Sequence, residues 1–303
     1  MMNTLKTRKL VQGAMIAALF GVVALINTYT GGFFDIFFCY GMVAPLAWYG
    51  YHYHLKDNMI VVFVSMIVIV MLSSPFFIIS SLSSCLSGLF IGEALKRKVN
   101  KGILFLGVFL VNLLNNLMIY EVFSGVLGMN LIDEMTVMYN EFSSFLPYLT
   151  LDKVLSLAPL LLVVTSFLEM YVIVMLTQLI LRRLKIDFPG SYHIALMHLP
   201  KSVGVVLVVG VVVSFIMQAI FHVEHYVVMY VYLISYLILM VQGVSFISYT
   251  LAIKRQYKYM ILVLLGVFVF HPVYLMIGIY DIFSDLRKNI LYNESDVNKE
   301  GVQ

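Results

Sequence analysis

Glu169 places a carboxyl group at membrane depth. It lies in TSFLEMYVIVM, near the middle of a long apolar run and well away from either end. An ionisable group at membrane depth is costly and is a functional candidate by default. Such a carboxyl must be neutralised or paired, and it can serve a cation, a proton or a cationic ligand. Asn112, Asn115 and Asn116 form a second cluster in LVNLLNNLMIY. Spacings of three and four place all three toward one side of a helix. An amide in lipid needs partners, so this side is expected to face the protein interior. There it can read a ligand with donors and acceptors or bond a neighbouring helix.

Other candidates are less specific. The first apolar run ends in Asn27, Thr28, Tyr29, Thr30, Gly31 and Gly32, with Asp35 soon after. A short polar loop with two glycines can fold over an outward pocket, or serve as an ordinary hairpin turn. Asn27 and Tyr29 are therefore taken as ligand-binding candidates beside Glu169, Asn112, Asn115 and Asn116. His222, Glu224 and His225 bring three potential ligands close together, as His52 and His54 bring two. Neither spacing matches a metal signature, and no metal or other cofactor is expected. Gln178, Gln218 and Gln242 read as single buried amides that bond neighbouring helices. Ser83 and Ser84 precede Gly88 on a small-residue face, without an HExxH or GxSxG motif or a partner histidine to make a hydrolase. The expectation is a protein that is not an enzyme. Cys39 and Cys85 both lie in apolar stretches and read as packing residues, not as a disulfide framework.

The elements that hold these residues follow from composition. The hydrophobic set makes up 62% of the 303 residues, and charged residues only 12%. A soluble globule of this size has too little polar surface to cover such a chain. About 20 apolar residues cross a bilayer as a helix. The chain therefore reads as an all-α polytopic membrane protein with about eight transmembrane helices, near 10–26, 33–50, 59–73, 75–93, 102–120, 153–181, 203–221 and 227–251. A last hydrophobic segment, near 259–283, is broken by His271-Pro272. The formal charge of +3 is too small for a nucleic-acid footprint.

Lysine and arginine placement orients the spans. Lys6, Arg8 and Lys9 precede the first. Lys96, Arg97, Lys98 and Lys101 separate the fourth from the fifth. Arg182, Arg183, Lys185 and Lys201 follow the sixth, and Lys254, Arg255 and Lys258 follow the eighth. Counting crossings puts all four clusters on one side, which predicts a cytoplasmic N-terminus in the cell membrane. The segment 121–152 is acidic and falls on the outer side, with part of it expected as a short surface helix. The Pro-broken segment reads either as one kinked span, which would put Arg287 and Lys288 outside, or as a re-entrant or shallow hairpin that returns them to the cytoplasm, and charge placement prefers the hairpin. Residues 291–303 are polar and expected to be a disordered cytoplasmic tail.

The first span also carries Gly13, Ala14, Ala17, Ala18 and Gly21. Small residues four apart let another helix approach closely. The opening TRKLVQGAMIAALFGVVALI resembles that of energy-coupling-factor transporter S-components, the membrane subunits that capture micronutrients. In that family an alanine-x-x-x-alanine pattern docks the coupling protein, and Ala14 and Ala18 match it. Over nearly its whole length the chain resembles the YybS family of bacterial membrane proteins, related to the S-component fold. The stretch LILRRLKIDFPGSYHIALMHLPKS and the tail LMIGIYDIFSDLRK carry that likeness. The resemblance implies a six-helix S-component-like unit over 1–181. It also implies additional transmembrane helices packed on that unit over 182–290.

No GxxxxGK[ST] phosphate loop is present, so any ATP drive must come from a separate ATPase module. The leading expectation is a membrane protein that captures or transports a small molecule through an outward-facing pocket. The alternative is an envelope scaffold working through contacts with a partner helix.

Overall fold

The computed structural model describes residues 2–128, 130–142, 150–188, 198–220, 225–259, 262–263, 266, 270–284 and 287. The chain divides into two compact units, Met1–Gly190 and Ser191–Gln303. The expected boundary after Leu181 falls in the last turn of a helix of the first unit. The expected tail, 291–303, lies outside the described residues.

Helices make up both units, and no strand occurs among the described residues. The first unit contains α1 (Met2–Tyr29), α2 (Asp35–His52), α3 (Leu55–Leu72), α4 (Pro75–Lys96) and α5 (Lys101–Leu117). A π-helical turn, Met118–Val122, extends α5. Three short helices follow: α6 (Ser124–Leu127), α7 (Leu131–Phe142) and α8 (Leu151–Ser156). The long α9 (Ala158–Arg183) closes the unit. The second unit contains α10 (Lys201–Ala219), α11 (Tyr226–Ile253) and α12 (His271–Ser284). Seven helices are long and apolar enough to cross a membrane, namely α1, α3, α4, α5 with its π turn, α9, α10 and α11.

The eighth long helix, α2, is less apolar because much of it never meets lipid. Met42, Val43, Ala44, Leu46, Ala47, Tyr49 and Gly50 are buried along it. It packs on α4, α9 and α1. Its contact with α4 is close because glycines line it. A Cβ on Gly88 would lie 2.8 Å from Leu46 Cβ, and one on Gly92 would lie 2.8 Å from the Ala47 carbonyl oxygen. The same economy joins α1 to α3, where a Cβ on Gly13 would meet Val61 at 2.7 Å and one on Gly21 would meet Val68 at 2.8 Å. Of the small residues on α1, Gly13, Ala17 and Gly21 are therefore internal, whereas Ala14 and Ala18 lie on its exposed side.

Polar contacts fix the register of these helices. At one end Lys9 pairs with Asp57 at 2.7 Å, Tyr53 donates to Gln12 Oε1 at 2.5 Å, and Lys96 donates to the Tyr53 carbonyl at 2.7 Å. At the other end Thr28 donates to the Leu72 carbonyl at 2.7 Å. Thus α1 and α3 run parallel, and the basic ends of α1 and α4 share one side. Local sequence sets the boundaries. Ser74 Oγ caps α4 by accepting from the Phe77 amide, and Pro75 takes the first helical position, where its missing N–H costs nothing.

The sequence predicts one span over 153–181. Instead the chain breaks at Leu157 into α8 and α9, with Pro159 in the first turn of α9. The acidic segment folds as α6, α7 and α8, with Met135 of α7 buried and Asp133 and Glu134 exposed.

In the second unit, α12 runs parallel to α11. Tyr236 meets His271 at 2.6 Å, Gln242 donates to Asp281 Oδ2 at 2.5 Å, and Arg287 Nη2 donates to Ser245 Oγ at 3.1 Å. Tyr274 donates to the Val263 carbonyl at 2.8 Å, so the chain before Pro272 folds back on α12. Among the described residues α12 starts level with Tyr236, about 15 Å along α11, and brings Arg287 back toward the Lys254 end. Gly243 and Gly278 let α11 and α12 touch backbone to backbone. Asp281 is fully buried and Arg287 grips it through Nε at 3.0 and 3.1 Å and Nη2 at 2.7 Å. The guanidinium lies 5.2 Å from the Tyr249 ring centroid.

Three single substitutions and one double substitution test this packing in the detergent-solubilised full chain. Gly92→Val forces α2 away from α4 and costs about 1–3 kcal/mol. Gly41→Ala, at a glycine with open space around it, leaves the thermal midpoint unchanged or slightly raised. Asp281→Asn strands a buried guanidinium and costs about 3–5 kcal/mol, while replacing both Asp281 and Arg287 by leucine restores much of that loss. Thermal unfolding followed by helical circular dichroism reads all four variants.

Candidate functional site

Four helices of the first unit, α2, α4, α5 and α9, surround a cavity of about 170 Å³. Asp35, the first residue of α2, Phe76, the second of α4, and Tyr120, in the π turn, belong to its wall. The hollow therefore lies in the half of the unit nearer the acidic segment. Glu169 enters from α9, about 17 Å from that helix's first residue. Asn112, Asn115 and Asn116 come from α5, Cys39 and Tyr40 from α2, and Ser80, Ser83 and Ser84 from α4.

The helix periodicity that grouped the asparagines brings them to this wall. Asn112 and Asn116, one turn apart, are 3% and 5% exposed, and Asn115 is half-buried. Because α5 and α9 are antiparallel, the end of α5 meets the first half of α9. Asn116 Nδ2 donates to Glu169 Oε2 at 3.0 Å and to Ser166 Oγ at 2.9 Å. Ser166 in turn donates to the Leu162 carbonyl at 2.6 Å. Asn112 Nδ2 donates to the Val108 carbonyl at 2.8 Å. These partners settle which amide atom is which, since a carbonyl oxygen accepts only from the NH₂. Both amides therefore spend donors on the protein and keep carbonyl oxygens in reserve.

Asn27 and Tyr29 part company. Asn27 is buried, and its Nδ2 donates to Asp35 Oδ1, one step behind the cavity wall. Its own Oδ1 is buried without a partner. Tyr29 is 88% exposed and does not belong to the wall. The turn it occupies is tied down by Thr30 donating to the Asn27 carbonyl at 3.0 Å and by Gly31 and Gly32, both at positive φ. Ala14 and Ala18 lie on the exposed side of α1, outside the cavity.

Asp35, Tyr40, Ser83 and Tyr120 join the wall without having been singled out as ligand-binding residues. A signal for the first two was present: the second span is the least apolar of the long helices, as befits one packed inside the bundle. The serine face of α4 was visible, but its orientation toward α5 and α9 depends on tertiary packing. Of the histidine-rich turn, His222 and Glu224 lie outside the described residues, and His225 Nδ1 caps α11 by accepting from the Val227 amide at 3.3 Å. Among the described residues no three His, Cys, Asp or Glu side chains come together as a metal site.

A search of curated proteins gave no match, nor did a search of solved structures. A family model does match, over residues 18–144 and 148–282, which takes in the second half of α1 and every later long helix of both units, and stops just short of Arg287. Together with the seven membrane-length apolar helices, this places the chain in DUF2232, a family of predicted membrane proteins, as a multi-pass member.

Proposed function

We propose that the protein captures a small molecule from the outer side of the cell membrane, or carries it across, without an ATPase of its own. The observation that carries this reading is the polar hollow inside an apolar bundle. Amides, hydroxyls and two carboxylates converge on it, although polar groups at membrane depth are expensive to keep. The volume is close to that of a cavity of about 150 Å³ that holds benzene, so the ligand is small. Charge placement supports a cytoplasmic N-terminus, which puts the acidic helices and the cavity half of the unit outside. The first unit's six long helices suit an S-component-like unit of the YybS kind. On that view the exposed Ala14 and Ala18 would receive a partner helix or a coupling module that brings ATP drive. The same stripe would suit the competing reading, an envelope scaffold, which has no need of the polar hollow.

Mass spectrometry of the chain purified in mild detergent tests capture directly. A small molecule is expected to stay with the wild type and to be lost from Glu169→Gln and Asn116→Ala, both still inserted and folded. A ligand-free wild type that copurifies only with wall-synthesis or division proteins would favour the scaffold.

Orientation has its own test. With native Cys39 and Cys85 buried, Asp133→Cys is expected to react with an impermeant maleimide on intact cells. Lys6→Cys is expected to react only after permeabilisation.

A further inference from the structure

Asp35 and Glu169 share the cavity wall, and neither has a cationic partner among the described residues. Asp35 accepts from the Asn27 amide and Glu169 from the Asn116 amide. No lysine, arginine or histidine belongs to the wall. The remaining polar atoms point the same way chemically. Asn116 has committed both N–H groups to protein acceptors and Asn112 one of its two, which leaves both carbonyl oxygens and a single N–H. Ser83 is only 6% exposed, lines the hollow and has no hydrogen-bond partner among the described residues. The wall thus holds a surplus of acceptors and negative charge in a low-dielectric setting, where such a surplus is most costly.

The second unit shows what this chain does with a carboxylate that is purely structural. Asp281 receives a bidentate guanidinium and a glutamine amide. Among the described residues Asp35 and Glu169 receive neither a guanidinium nor an ammonium.

Resting on the capture reading, we infer that the cavity's ligand is a small organic cation with N–H donors, seated between Asp35 and Glu169. Its charge answers the two carboxylates, and its N–H groups answer the amide carbonyls and Ser83. Tyr40, Tyr120 and Phe76 supply aromatic surface to the same wall, which suits an organic cation better than a hydrated metal ion. A directly coordinated metal would want three or more strong ligands, and no such cluster occurs among the described residues.

The test is calorimetric titration and thermal unfolding of the full chain in detergent at constant ionic strength. The probes are guanidinium and methylammonium chlorides, with urea as the neutral match for guanidinium, sodium acetate as the anion, and potassium and sodium chlorides as controls. Saturable binding of a cationic probe and a raised midpoint are expected, with no such response to urea, acetate or the alkali ions. Glu169→Gln and Asp35→Asn should each weaken that binding roughly tenfold to a hundredfold. Ser83→Ala breaks no hydrogen bond among the described residues and should weaken it severalfold with the unliganded midpoint unchanged. Equal binding of urea, acetate or alkali ions overturns the inference, as does cation binding that is indifferent to both carboxylate variants. If no probe binds and the purified protein carries a neutral or anionic molecule released by Asn116→Ala, the cation inference falls and capture stands. If no probe binds and nothing is carried, both fall.

Discussion

The seating of α2 on α4 governs the first unit. Two glycines of α4, Gly88 and Gly92, bring its backbone against Leu46, Ala47 and Gly50 of α2. That closeness keeps α2 inside the bundle, where it also reaches α9 and α1. Hydrophobic burial gives little drive between helices that lipid would solvate equally well, so close van der Waals contact must supply it. Small residues provide such contact. With α2 so held, its first residue, Asp35, and its Tyr40 face the same hollow as Glu169 of α9. Widening the α2–α4 contact would move one wall of the cavity relative to the others.

The second constraint is that polar groups in an apolar slab find partners in the protein. Three of those in the first unit do so locally, whereas among the described residues the hydroxyls of Ser65, Ser87 and Thr177 are buried without a partner. Ser84 donates to the Ser80 carbonyl at 3.0 Å, Ser166 to Leu162 and Asn112 to Val108, each one helical turn back. These bonds keep side chains compatible with lipid at little cost to the helix. Asn116 differs because it reaches across to another helix and joins α5 to α9. It therefore both ties the bundle together and helps form the cavity wall.

Much of this was legible in the residues. Apolar runs gave the long helices, the spacing of Asn112, Asn115 and Asn116 gave a shared face, and Glu169 announced itself by depth alone. The break at Leu157 was missed because the apolar run continues through it, although Pro159 marked it. Tyr29 shows the limit of reasoning from proximity in sequence. It neighbours buried Asn27 by two positions, yet points to the exterior because the chain leaves α1 there. Asp35 was legible as an acid near a span's start but not as a wall residue, since that depends on how deeply α2 sits. The pairing of Asp281 with Arg287 depended on α12 running parallel to α11. Hydropathy cannot distinguish that from a single kinked span.

The chain's own contrast gives the hollow its meaning. Burying a carboxylate is tolerable when a bidentate arginine and further donors surround it, and the second unit builds that arrangement around Asp281. Gln242 completes it, and the aromatic faces of Tyr249 and Phe246 flank the guanidinium. The first unit has arginines and lysines as well, but they occupy helix ends, as Lys9, Lys96 and Arg97 do. None belongs to the cavity wall. A fold that required only stability at Glu169 would be served by a leucine, or by a cation on a facing helix. Retaining the acid beside three amides and a second carboxylate, around open volume, leaves a charge imbalance inside the protein. A bound cation would cancel it.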